Sequence, residues 1–192
     1  VAQGFHIGFL IALMTFSSLP SSAFATADDE QPVETRDFSI YNLGVEAYKR
    51  KDYAAAAAYW REAITQGHNA ALNNLGYLTY YGLGMPASPA NGVELWRKGA
   101  ELGVSEAQWH LGIAYQDGKG VTQDLLQAYG WVRCSIDSAT RSAAETNDSS
   151  RVETEQTIAN NARETLLEIT DAMPAAMLIT ARQRDLPCAN GS

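Results

Sequence analysis

Between residues 38 and 137, apolar and small residues return every three or four positions, in blocks broken by glycine. Ala71, Leu75 and Leu78 share one helical face, as do Ala107, Leu111 and Ala114. The spacing predicts three helix pairs: 38–50 with 53–66, 69–81 with 89–102, and 105–117 with 124–137. The punctuation fits. Asp52, Ser88 and Asp124 stand at the starts of the second helices, where a side-chain oxygen can accept from the open N–H groups of a first turn. Gln127 makes Asp124 a candidate capping box, and Pro89 suits a first helical position behind Ser88. Gly67 and Gly103 are placed to close second helices.

The blocks also repeat one another. Leu75-Gly76 returns as Leu111-Gly112, a step of 36 (75 to 111), and Gly82-x-Gly84 returns as Gly118-x-Gly120. Trp60 steps to Trp96. Small residues step together at Ala56, Gly92 and Ala128, and at Ala63, Gly99 and Ser135, which lets neighbouring helices approach closely. The first unit is shorter: Leu43-Gly44 precedes Leu75 by 32 and no GxG turn follows it. Self-similarity at this period predicts stacked antiparallel helix pairs, an all-α, right-handed solenoid with units at 38–68, 69–104 and 105–137.

The flanks read differently. An apolar run at 7–16 is too short to span a bilayer comfortably. Small residues follow at Ala23, Ala25 and Ala27. Residues 1–25 are expected to be a secretory leader cleaved after Ala25 or Ala27. No Lys or Arg precedes the run, and a retained N-terminal anchor is the competing reading. Residues 26–37 are acidic and carry a proline, the composition of a disordered lead-in. Beyond 137 the repeat breaks, because Asn147-Asp148 stands where a fourth Leu-Gly would fall. Residues 138–150 have the Ser, Thr, Asn and Asp content of a loop. A long helix is expected over 151–171, with Ile158, Ala162, Leu166, Ile169 and Met173 on one stripe. Pro174 then opens a shorter helix to about Asp185. Residues 151–192 are thus capping helices and a tail, covering the last apolar face of the stack.

At these positions the chain resembles the Sel1-like repeat family, longer-looped relatives of the tetratricopeptide repeat. The family pattern runs A-x-x-x-L-G-x-x-Y, then G-x-G-V, D-x-x-x-A and W-x-x-x-A. Ala107, Leu111, Gly112, Tyr115, Gly118, Gly120, Val121, Asp124, Ala128 and Trp131 match it. In the preceding unit Thr79, Met85, Ser88 and Gly92 depart from it. The segment 171–183 is similar to the closing segment of secreted bacterial members, with Met173 where those carry a Thr. The resemblance implies a binding scaffold. Some cysteine-rich relatives, with a Cys pair in every repeat, have been linked to β-lactam binding or hydrolysis. This chain has two cysteines in all, so the resemblance implies a non-enzymatic module before a β-lactamase-like enzyme.

Charge and chemistry narrow the reading. The net charge is −8 and no charged side chain precedes Asp28, which argues against nucleic acid or an anionic membrane as partner. After leader cleavage no stable membrane insertion is expected. Histidines number three, without Cys or His neighbours at metal-ligand spacing, and no nucleophile elbow is present. The GxG pairs follow helices rather than strands, so they read as turns. Neither a catalytic residue, nor a metal, nor a cofactor is therefore expected. The charged residues Glu153, Glu155, Arg163, Glu164 and Glu168 read as the solvated face of the long helix. The other face of the first helices carries Tyr41, Val45 and Tyr48, then Asn73, Tyr77 and Tyr80, then Trp109, Ile113 and Gln116. Stacked first helices should align Tyr41, Asn73 and Trp109 in one column and Asn42, Asn74 and His110 in the next. With Tyr77, these seven residues are the expected binding surface for a protein or peptide partner. The competing reading is packing between repeats. Cys134 and Cys188 allow one intramolecular disulfide in an exported chain, and it would staple the tail to the stack.

Overall fold

The computed structural model describes residues 40–183 and Cys188. They lie within the compact unit Asp37–Ser192. The expected leader and lead-in lie outside the described residues, as does the expected end of the last helix at 184–185. Eight helices are described: α1 (Ile40–Lys49), α2 (Tyr53–Thr65), α3 (Ala70–Tyr81), α4 (Pro89–Glu101), α5 (Ser105–Asp117), α6 (Leu125–Glu145), α7 (Ser149–Ala172) and α8 (Ala175–Gln183). The described residues contain no strand. Each helix from α1 to α6 packs on the next in sequence, α3 touches α5 as α5 touches α7, and α8 packs on α6. This is an all-α solenoid.

The Leu-Gly pairs have a steric cause. Leu75 and Leu111 are buried in the core. The glycine beside each is where the second helix of the pair drives in a large side chain. A Cβ on Gly44 would overlap the indole of Trp60, one on Gly76 the indole of Trp96, and one on Gly112 the side chain of Val132. The 36-residue step at 60, 96 and 132 is therefore the other half of the Leu-Gly signal.

The GxG turns combine two requirements. Gly82 and Gly118 end α3 and α5 with φ of 75° and 69°, the left-handed cap that glycine adopts without a Cβ penalty. Gly84 and Gly120 are also left-handed, and each lies against the preceding pair: a Cβ on Gly84 would meet the Tyr53–Ala54 backbone, one on Gly120 the Pro89–Ala90 backbone. The long turn is thus a contact between one unit and the start of the second helix in the unit before. The first unit has the short turn instead, with Lys51 at φ 63°.

Two of the three expected caps form. Asp52 Oδ1 accepts from Ala55 N at 3.1 Å, and Asp124 Oδ1 from Leu126 N and Gln127 N at 2.9 and 3.1 Å. The Ser88 hydroxyl makes no cap bond; its backbone N–H donates to Thr79 O at 2.8 Å, and Pro89 opens α4.

The largest departure from expectation lies at 138–150. Helix α6 continues to Glu145, and only Thr146–Asp148 separate it from α7. The polar composition there is accommodated on a helix. Ala139 is fully buried against Ile158 and Ala159 of α7, and Thr140 Oγ1 donates back to Ile136 O at 2.7 Å. Tertiary packing outweighs the loop-like composition. Glu155 departs too: it is half-buried, and its carboxylate accepts from Ser105 at 2.7 Å and Ser142 at 2.9 Å, tying α7 to α5 and α6. The α7 stripe is buried at Ile158, Ala162, Ile169 and Met173. The structure joins Cys134 to Cys188, with Cα atoms 5.2 Å apart.

Candidate partner-binding groove

First helices α1, α3 and α5 line a groove of about 450 Å³. Tyr41, Val45 and Tyr48 come from α1, Asn73, Asn74 and Tyr77 from α3, and Glu106 and His110 from α5; Trp60 of α2 adds to the lining. The side chains form one polar network across the three helices. Asn74 Nδ2 donates to Tyr41 Oη at 3.2 Å, and Asn74 Oδ1 accepts from Asn73 Nδ2, also at 3.2 Å. The same Asn73 amide donates to Glu106 Oε2 at 2.8 Å. Asn73 Oδ1 lies 2.8 Å from His110 Nδ1. Because both neighbours of the Asn73 amide nitrogen are acceptors, its oxygen must face a donor. The network therefore assigns the proton of neutral His110 to Nδ1.

Electrostatics follow from enclosure. The His110 ring stacks on Trp96 at 4.9 Å and on Trp109 at 5.2 Å, and burial pushes its pKa down to about 4, so it is neutral at pH 7. Burial, with Glu155 nearby adding repulsion, holds the Glu106 carboxyl above its usual range. Burial likewise raises the Tyr41 phenol, against the hydrogen bond from Asn74. Tyr41 also stacks on His68, with ring centres 6.2 Å apart.

Five of the seven sequence-derived residues line this groove: Tyr41, Asn73, Asn74, Tyr77 and His110. Asn42 stands half-buried on α1, outside the groove lining. Trp109 is elsewhere. Its Nε1 donates to Thr165 Oγ1 of α7 at 2.9 Å, and its ring packs with the α6–α8 cluster around Val132, Ala162 and Ile169. Helix α7 occupies the position a further first helix would take and covers that end of the face. The straight columns also shift. Tyr41 bonds Asn74 rather than aligning with Asn73, and Asn73 bonds both Glu106 and His110, so the contacts run diagonally. Sequence reasoning missed Glu106. Its signal was available: it precedes His110 by one helical turn and so shares that face.

Among the described residues, no helix is long and apolar enough to cross a membrane, and no group of three or more His, Cys, Asp or Glu side chains could hold a metal ion.

The Sel1 repeat family model matches residues 38–68, 69–104 and 105–138. Among solved structures, a Sel1 repeat protein from Oxalobacter formigenes superposes with a TM-score of 0.50 at 24% identity, covering 65% of this chain and 54% of its own. A second similar structure is c5321, a protective antigen present in uropathogenic Escherichia coli strains and displaying an SLR fold; its TM-score is 0.47 at 22% identity, over 70% of this chain and 32% of its own. The chain thus spans about half the first and a third of the second. No curated protein matches it.

Proposed function

Because this chain belongs to the Sel1 repeat family, we propose that it is a periplasmic interaction module whose α1–α3–α5 groove holds an extended segment of a protein partner. Sel1 repeat proteins generally serve as protein–protein interaction scaffolds. The observation that carries the groove reading is the network from Tyr41 through Asn74 and Asn73 to Glu106 and His110, which crosses three helices along the lining of one cleft. Amide groups beside tyrosine rings suit a peptide: rings offer contact area at low entropy cost, and amides pair with peptide backbone.

The test pairs affinity with thermal melts, using a partner captured from envelope extract. Asn74→Ala and Tyr77→Ala should each weaken its binding by about 1–2 kcal/mol. Lys98→Ala, exposed on α4, should change nothing. Trp109→Ala should lower the melting temperature through the lost α7 contacts and leave affinity nearly intact. Unchanged affinity in both groove variants would refute the reading. The cellular site rests on the leader reading, with the Cys134–Cys188 bond in support, since oxidising compartments sustain disulfides. Protein recovered from a periplasmic fraction should begin at Thr26 or Asp28 on N-terminal sequencing. An intact stretch through residues 7–16 would favour the anchor instead.

A further inference from the structure

We propose that the groove selects a lysine side chain on the bound segment, seated between the groove tyrosines with its ammonium on Glu106. The inference rests on the groove reading above and names what that groove prefers.

The first observation is an uncompensated charge. Glu106 is half-buried in the groove lining, and the neutral amide of Asn73 is its recorded hydrogen-bond donor. The two ion pairs recorded among the described residues, Lys49–Glu46 and Arg97–Glu94, lie on α1 and α4 and do not involve it. Its charged neighbour is Glu155, which has the same sign. Groups facing Glu106 from the packed helices are Tyr41 and Tyr48 of α1, Asn73 of α3 and Glu155 of α7, with His110 neutral on its own helix. None brings a positive charge. Even a half-buried carboxylate without a counter-charge is costly, and a cation from outside would relieve that cost.

The second observation is aromatic. Tyr41, Tyr48 and Tyr77 line the same cleft, and ring faces attract a cation through the quadrupole. Three tyrosines beside a carboxylate fit an alkylammonium on an apolar stem: the stem packs on the rings and the head reaches the charge.

The third observation separates lysine from arginine. Glu106 Oε2 is already engaged by Asn73. A guanidinium binds best with both carboxylate oxygens in a fork, whereas an ammonium is a point charge satisfied by one. The net charge of −8 would steer a cationic segment toward this protein as a whole.

The test follows the Asn73 and Asn74 side-chain amide signals of isotope-labelled protein by NMR. Three capped pentapeptides are titrated, alike except for a central lysine, norleucine or glutamate. The lysine peptide should move both amides and bind roughly tenfold or more tighter than norleucine, a difference of about 1.4 kcal/mol; glutamate should not bind. Glu106→Gln keeps an acceptor for Asn73 and removes the charge. It should bring lysine down to the norleucine level while the melting temperature holds or rises. Equal binding of lysine and norleucine, retained lysine affinity in Glu106→Gln, or no shift with lysine would each overturn the inference. If norleucine moves the amides as well as lysine does, the groove still binds peptide and only the lysine preference falls. Failure of the groove reading itself would show separately, as partner affinity insensitive to Asn74→Ala.

Discussion

His110 shows how one side chain couples the groove to stability. Two indoles enclose it and Asn73 accepts its Nδ1 proton. Its folded pKa of about 4 lies below the unfolded value of 6.5. Between those values the unfolded chain holds more protons, so stability is full above about pH 6.5 and is lost as pH falls toward 4. The shift sets an upper limit of ~3 kcal/mol on that loss. Glu106 acts in the opposite sense. Its raised folded pKa lets the native state take up a proton first, so acid relieves part of its cost. Melting temperatures measured across this range should fall with acid in the wild type. His110→Phe keeps a ring between the indoles but cannot titrate, and its curve should be flatter. Equal slopes in both proteins would show that His110 does not control the transition.

At the scale of the element, the Leu-Gly pair is a steric joint between the two helices of a unit. Gly112 faces Val132, and the nearest backbone atom to an added Cβ is Ala128 O at 3.2 Å. Valine is stiff at χ1 and sits between rigid helices, so it cannot swing aside cheaply. Gly112→Ala should destabilise by about 1–3 kcal/mol despite alanine's better helix propensity. Val132→Ala alone leaves a void and also destabilises. The double variant should be more stable than the two single losses predict by addition, because each change removes the other's conflict. Strict additivity by chemical denaturation would place the conflict elsewhere. The same joint explains why this part of the sequence was readable. Glycine and its large opposing residue recur at a fixed step because the same two helices meet in each unit.

At the scale of the whole molecule, the end of the stack differs from its repeats. Helix α7 covers α5 and α6, and Cys188 packs against the core cluster that holds Trp96, Leu111 and Trp131 while bonded to buried Cys134. The bridge closes a loop with a sequence separation of 54. Cross-linking a loop of that size restricts the unfolded chain and should contribute about 2–4 kcal/mol. Cys188→Ala should lower the melting temperature accordingly, and a reductant should lower that of the wild type but not of the variant. A melt indifferent to reductant in the wild type would remove the bridge from the stability of the fold.

What the sequence determined by itself is the repeated part: the helix pairs, the Asp52 and Asp124 caps, the GxG turns at 82–84 and 118–120, and the shared face on which five of the groove-lining residues stand. Each depends on local sterics or on contacts with the adjacent unit, and such contacts recur at constant offsets. The tertiary structure alone decided where the periodicity stops governing. Trp109 occupies the position that Asn73 holds one unit earlier, yet it bonds Thr165, a residue outside the repeats. No offset in the sequence fixes how α7 registers against α5. Whether residues 138–145 are loop or helix likewise turns on Ala139 meeting Ile158 and Ala159, a contact made only when α7 folds back. Glu106 belongs to the same class. Its one-turn offset from His110 puts it on the groove face, but only the approach of α1, α3 and α7 encloses its charge.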